Sequence, residues 1–240
     1  MTMSGLLEDV AAYVLAGGRS TRMGQDKAML ELAGRPLVEH AVRKLRRITP
    51  DVCILSGNSR LAPFAPLVVD LRENRGPLGG IEAAFSHTKK YWVLIVPVDT
   101  PFVPAALLRH WVRSVLLKGD ARLSLFSVDG SVQPALCLLH RDLAPYVRDS
   151  LEAGRLKLFP ELRDAARHLA AKKNVKTEDV MLLREWNERE AAGFLEELDR
   201  AGGYGVLSAA QREALPVWFS NLNTPEEFAV AERYAGALEM

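Results

Sequence analysis

The sequence predicts an α/β fold in three layers, a mostly parallel sheet with helices on both faces and one antiparallel hairpin. Three observations carry that expectation. Short apolar runs alternate with longer amphipathic stretches at helical spacing, the pattern of βαβ units. The runs are continuous and do not alternate with polar residues, as in strands buried on both faces. The glycine-rich, acidic and proline-flanked loops follow the apolar runs, at the strand ends where parallel α/β sheets bind ligands. With 240 residues, 48% hydrophobic and 25% charged, the chain can bury a sizeable core and is long enough for one good-sized domain or two small ones; it is read as a single domain over 1–240.

Taken in order, AAYVLAGG reads as a buried strand ending in glycine, and PLVEHAVRKLRRI as a helix that starts at Pro36. Within that helix the run RKLRR, residues 43–47, reads as a solvated basic face. DVCILSGNS is a strand followed by a loop, and VVD a short strand. RENRGPLGGIEAAFSHTKK is a Gly/Pro loop running into a helix from about Gly79. YWVLIVPVDTPFVP is a fully apolar strand that ends in an acidic turn, and AALLRHWVRSVLLKG is an amphipathic helix that stops at Gly119. RLSLFSVDGSVQPALCLLH contains an Asp-Gly turn between two strand-like runs and reads as a hairpin.

From 160 to about 216 the chain reads as helical and charged, and 167–215 as a helical insertion in the domain. Thr177 is its candidate N-cap, and Val180, Leu183, Phe194, Leu195 and Leu198 its apolar stripe. VWFSNLNTPEEFAVAERYAGAL closes the chain as strand, polar turn and helix. The sequence contains no internal repeat and no low-complexity linker.

Thirty-one basic residues balance thirty acidic ones, for a net charge of +1. That argues against a nucleic-acid-coating surface and makes any anion site local. Cys53 and Cys137 lie far apart in apolar runs and read as buried thiols, which points to a reducing, cytoplasmic setting. The opening residues lack a basic segment and no apolar run approaches spanning length, so neither export nor a membrane is expected. The five histidines are scattered without an HxxxH pair and read as solvated or helix-surface groups. The four tryptophans read as packing residues.

The loops carry the chemistry. Gly17 and Gly18 let backbone N–H groups approach a phosphate, and Arg19, Arg22 and Lys27 bring positive charge to the same loop. Neither GxxxxGK[ST] nor GxGxxG is present. Asp99, at the end of WVLIVPV, is placed to hold Mg²⁺ or to cap the helix that follows Pro104. Asn221 and Asn223 follow an apolar run and can reach the same cation or its waters. Thr224 is equally a helix N-cap, and Asp70 is a turn residue or a second polar ligand.

Together LAGGRSTRMGQDKAML, RGPLGGI, PVDTP and NLNTPEE resemble the nucleotidyltransferases that begin LxGGxSxRMGxDK, most closely the molybdenum cofactor guanylyltransferases. The motifs occur in that family's order and cover residues 13–140 and again 217 to the end. The resemblance implies a Rossmann-like nucleotidyltransferase fold. It also implies transfer of GMP from Mg-GTP to the terminal phosphate of molybdopterin or molybdenum-molybdopterin, with release of pyrophosphate. Carried over position by position, it puts Leu15, Ala16 and Gly17 on the guanine and phosphate region, with Gly18, Arg22 and Lys27 around the phosphates. Asp99 becomes the Mg²⁺ ligand, so that Arg22, Lys27 and Asp99 are the implied catalytic set. Asp70 matches a nucleotide-binding aspartate, and Gly79 lies in the GPLGG loop of the nucleotide side.

The family often has asparagine after its second strand, where this chain has Ser56 with Asn58 two residues on. Asn221 and Asn223 match NxNTPE on the pterin side. LEAGRLKLFPEL, residues 151–162, falls where relatives carry a basic pterin-side segment, which makes Arg155 and Lys157 candidates. The extra helical segment matches no family motif and has molybdoenzyme maturation proteins as conceivable partners. Two other readings stand beside guanylyl transfer: a CTP-dependent molybdopterin or sugar-phosphate nucleotidyltransferase, and a nucleotide-binding adaptor without catalysis.

Overall fold

A computed structural model describes residues 7–17, 26–201 and 207–239. Chain order begins with β1 (Val10–Leu15), a two-residue ladder of β2 (Glu31–Leu32) and β3 (Arg35–Pro36), and α1 (Leu37–Arg46). It continues with β4 (Val52–Leu55), β5 (Leu67–Val68), α2 (Gly76–His87), β6 (Trp92–Pro97) and α3 (Ala105–Leu116). The hairpin of β7 (Leu123–Val128) and β8 (Ser131–His140) follows, then α4 (Ala144–Glu152) and α5 (Leu158–Lys173). The chain ends through α6 (Thr177–Val180), β9 (Met181–Trp186), α7 (Glu188–Ala201), α8 (Ala209–Glu213) and α9 (Pro225–Glu232).

Among the described residues seven strands form one sheet in the order β5-β4-β1-β6-β8-β7-β9. Only β8 runs against its neighbours, pairing antiparallel with β6 and β7, while β9 runs parallel to β7. The predicted three-layer, mostly parallel architecture is the one observed. On β1, Val10, Ala12 and Val14 face one core and Ala11, Tyr13 and Leu15 the other. β6 divides in the same way. Each of these strands therefore needs apolar residues at every position, which is why they read as unbroken runs. Helices α1, α3 and α7 cover one face, and α2, α4 and α5 the other.

The β7–β8 turn uses Asp129 and Gly130 with φ of 48° and 80°, the left-handed pair that matches the twist of a tight hairpin. Beyond it, β8 departs from regular pairing. Phe126 pairs with Gln133 and Leu125 with Cys137, so residues 134–136 form a bulge. Pro134 has no N–H to give a ladder, which makes this the natural point of departure.

Several expectations are corrected. The segment 167–215 is not wholly helical, because Met181–Trp186 is a strand that completes the sheet edge beside β7. Trp186 stacks on Trp218 with ring centroids 5.6 Å apart, and Phe194 packs edge-on against both. The extra segment is thus continuous with the main core, its aromatic pairs each adding on the order of 1 kcal/mol beyond area burial. Leu183 faces out of that core, and Lys176, one residue before Thr177, occupies the N-cap position. Next, residues 217–220 form no strand; a short 3₁₀ turn, Leu215–Val217, buries Trp218 instead.

Finally, polarity misled at three positions. Lys44 in RKLRR is buried, as is His40, and the His140 side chain is largely enclosed between Tyr91 and Trp92. Cys137 is buried and Cys53 half-buried, and both are free thiols. All four tryptophans are buried, as expected of packing residues. Among the described residues no helix is long and apolar enough to cross a membrane.

Candidate functional site

Pairing between β6 and β8 ends at Ile95 and Cys137. Past that point β6 continues to Pro97 while β8 bulges away, and a cleft of about 490 Å³ opens between them. One wall is the end of β1 with Leu15, Ala16 and Gly17, together with Val98 and Asp99 beyond β6. The other is the bulge, Gln133 to Leu136, with Phe219 and Asn221. Backbone bonds hold the first wall: Ala16 N–H donates to Leu55 O at 3.3 Å and Val98 N–H to Leu15 O at 3.1 Å. This is the strand-end position at which such sheets bind ligands.

Lys27 stands where the walls meet. Its ammonium donates to Asp99 Oδ2 at 2.6 Å and to Asn223 Oδ1 at 2.6 Å, joining three motifs that are far apart in the chain. Local structure aims it there. Asp26 caps the short 3₁₀ turn Lys27–Met29 by accepting from Ala28 N–H at 3.0 Å. The other Asp26 oxygen accepts from the Asn58 amide, and the backbone N–H of Asn58 donates to Ser56 Oγ at 3.1 Å. The loop after β4 thereby braces the Lys27 turn.

Asn223 is fixed from its own side. Glu227 accepts from the N–H groups of Asn223 and Thr224, while Thr224 Oγ1 accepts from Glu227 N–H at 3.2 Å, a reciprocal capping box at the start of α9. Leu222 N–H donates to Asp99 O at 3.0 Å, so this segment docks directly on the acidic turn. Thr224 is therefore a cap. Asp99 is not: Pro104 occupies the N-cap position of α3 without a side-chain bond, and Asp99 turns its carboxylate to Lys27.

A second cluster lies beside this cleft at the ends of β4 and β5. The Asp70 carboxylate rests over the first turns of α2, and burial, with the nearby Glu82 charge, raises its pKa above the usual carboxylate value. Only glycine fits beneath it: a Cβ on Gly79 would stand 2.8 Å from Arg75 Cβ and 3.4 Å from Asp70 Oδ2. A Cβ on Gly80 would press the Leu15 and Leu55 side chains. Those side chains connect the shelf to the main cleft.

Of the residues proposed from sequence, Leu15, Ala16, Gly17, Lys27, Asp99, Asn221 and Asn223 line one cleft. Asp70 and Gly79 form the adjoining shelf, Ser56 lies in the loop after β4 that braces the Lys27 turn, and none of the three lines the cleft. Gly18, Arg19 and Arg22 lie outside the described residues. Arg155 is not brought to the cleft; it pairs with Glu161 at 2.9 Å and joins α4 to α5. Asp26, Asn58, Gln133 and Phe219 were missed. The proline in the middle of a strand was the available signal for Gln133, since it demands a bulge. Asp26 stands in the LxGGxSxRMGxDK motif and Asn58 two residues after Ser56, but turn chemistry alone does not show that the two bond to each other and brace Lys27.

Among the described residues no group of three or more His, Cys, Asp or Glu side chains could enclose a metal. A single carboxylate with neighbouring amide oxygens suits a hard cation that takes its remaining ligands from phosphate and water. The Lys27 ammonium already sits as a cation between Asp99 and Asn223.

The family described as MobA-like NTP transferase domain matches residues 12–190 of this chain. A molybdenum cofactor guanylyltransferase from Serratia proteamaculans is 37% identical over 162 residues, 63% of this chain and 78% of the relative. One from Vibrio cholerae is 36% identical over 156 residues, covering 63% and 75%. Among solved structures, molybdopterin-guanine dinucleotide biosynthesis protein A from Archaeoglobus fulgidus superposes with a TM-score of 0.66 at 20% identity, over 95% of this chain and 100% of that one. That last likeness is one of fold.

Proposed function

This chain belongs to the MobA-like NTP transferase family, and from that premise we propose that it transfers GMP from GTP to the terminal phosphate of molybdopterin or molybdenum-molybdopterin, releasing pyrophosphate. The names of its relatives support the substrates. The observation that carries the reading is the node in which Lys27 meets Asp99 and Asn223, because it brings the glycine-loop, DTP and NTPE motifs to one point.

The reaction needs no nucleophile from the protein, since a phosphate monoester is ionised near neutral pH and attacks the α-phosphorus directly. What the chain supplies is position and charge. Leu15, Ala16 and Gly17 present backbone to the nucleotide, while Asp70 and Gly79 form the shelf beside it and Ser56 belongs to the loop that braces Lys27. Lys27, with Arg22 from the same loop, offsets charge on the departing pyrophosphate. Asp99, with Asn221 and Asn223 beside it, would hold Mg²⁺. When bound, that ion supplies electrostatic stabilisation of phosphate oxygens. Gln133 and Phe219 offer the acceptor an amide and an aromatic face from the opposite wall.

Pyrophosphate release from GTP, CTP, ATP and UTP, each with molybdopterin and Mg²⁺, tests the proposal. GTP is expected to be the effective donor by at least tenfold. Preference for CTP would replace the guanylyl reading with a cytidylyl one, and tight GTP binding without pyrophosphate from any acceptor would replace catalysis with an adaptor role.

A further inference from the structure

Lys44 is the one lysine or arginine among the described residues that is fully buried, at 1% exposure. It sits on the inner face of α1, between the buried residues Ala41 and Leu45, while Arg46 and Arg47 of the same basic run are exposed. Burying an ammonium is costly, and an apolar side chain of the same length would fill the space without that cost. Its bond explains its presence. Lys44 Nζ donates to the Thr100 backbone carbonyl at 2.8 Å.

Thr100 follows Asp99, and the two successive carbonyls of this turn are gripped from different directions. Asp99 O accepts from Leu222 N–H at 3.0 Å, on the segment that carries Asn221 and Asn223. Thr100 O accepts from Lys44 on α1. The Thr100 hydroxyl closes the turn by donating to Pro97 O at 3.1 Å. Behind Lys44, the Glu239 carboxylate caps α3 through Ala105 N–H at 3.0 Å and pairs with Arg47 at 3.1 Å.

We propose that Lys44 is a positioning residue for nucleotidyl transfer: its bond to the Thr100 carbonyl fixes the turn that aims the Asp99 carboxylate into the cleft. The proposal rests on the reading of Asp99 as the residue that meets the metal–nucleotide complex. Burial pushes the Lys44 pKa down to about 7, with Glu239 pulling it back up. The bond does not depend on that proton, since a neutral amine also donates N–H.

The test compares the full-length protein with Lys44→Met, which keeps the buried stem and removes the donor. Nucleotide affinity without divalent cation, Mn²⁺ affinity of the GTP complex by electron paramagnetic resonance, kcat and Tm are measured together. The expected result is cation-free GTP affinity within twofold of wild type, Mn²⁺ affinity of the complex lowered at least fivefold and kcat lowered at least tenfold. Should Lys44→Met fail to fold, Lys44→Arg, whose bulkier planar guanidinium cannot take the place of the ammonium without displacing the carbonyl, is expected to show the same selective fall in Mn²⁺ affinity. Mn²⁺ affinity within twofold of wild type in the folded variant overturns the proposal, whatever happens to Tm. The Mn²⁺ readout needs neither acceptor nor turnover, so a wrong acceptor leaves it intact. Wild-type protein that binds no Mn²⁺ with GTP would instead overturn the underlying reading.

Discussion

The two walls of the cleft are built in different ways. The wall at β1 and β6 consists of strand ends in a parallel sheet, held by a regular ladder and by short bonds such as Val98 N–H to Leu15 O. The wall at β8 and residues 219–223 consists of a bulge and a docked segment, fixed by contacts such as Lys27 to Asn223 across 196 positions of sequence. The first is rigid because its backbone bonds are satisfied inside the sheet. The second is placed by side chains and by a capping box, so substitutions in the bulge or at Phe219, away from the Lys27–Asp99–Asn223 node, should alter acceptor binding while leaving the nucleotide side intact.

Asp99 belongs to the first wall and touches the second through Lys27 and Leu222, so its loss should have the largest effect. Asp99→Ala is expected to lower kcat by at least 10²–10³, about 3–4 kcal/mol of transition-state stabilisation, with thermal unfolding little changed. Turnover within tenfold of wild type in Mg²⁺ would remove Asp99 from the mechanism.

Gly79→Ala sharpens the contrast from the nucleotide side alone. Its Cβ would meet Arg75 Cβ at 2.8 Å, and relief must move the start of α2 or Asp70, at a cost of about 1–3 kcal/mol. Steady-state kinetics should show KM for GTP raised about tenfold with acceptor KM within twofold. The mirror experiment is Phe219→Ala, which removes an aromatic face from the second wall and should raise acceptor KM severalfold with GTP KM unchanged. Equal shifts in both constants for either variant would dissolve the distinction between the walls.

The smallest effect on activity lies at the opposite end of β8 from the bulge, where a titration bears on stability and not on turnover. Burial pushes His140 down to about 4 from 6.5, against the pull of Asp142 and together with the charges of Arg122, Lys173 and Arg141. The sign follows from linkage. Between those values the folded protein keeps His140 neutral while the unfolded chain takes up a proton, so stability is present above 6.5 and lost as pH falls toward 4. The loss should be on the order of 1–3 kcal/mol by denaturant titration. His40 and His110 are also held down by burial and act in the same direction. His140→Gln should therefore flatten the profile in part; an unchanged slope would assign the effect elsewhere.

The first wall was largely legible in advance, and the second was not. Strand β1, the VDTP turn and the glycines of α2 announce themselves by local composition, because a doubly covered strand must be apolar throughout and a crowded helix start must lack side chains. Asn221 and Asn223 were found through a motif, but the strand expected before them is a 3₁₀ turn. Met181–Trp186 reads as helix because it lies in a charged stretch whose apolar residues recur at helical spacing, with Arg184 and Glu185 within it. An edge strand with one exposed face tolerates them.

The sequence by itself determined the layer order, the hairpin turn and the loops that line the cleft, since each depends on residues close together in the chain. Only the tertiary structure decided that β8 bulges to open the cleft, that Met181–Trp186 completes the sheet and Trp186 and Phe194 the core, and that Lys44 in RKLRR is turned inward. A basic residue on a helix reads as solvated until the packing of the rest of the chain supplies a carbonyl deep enough for it to reach. The Thr100 carbonyl, 56 positions further along, is that partner.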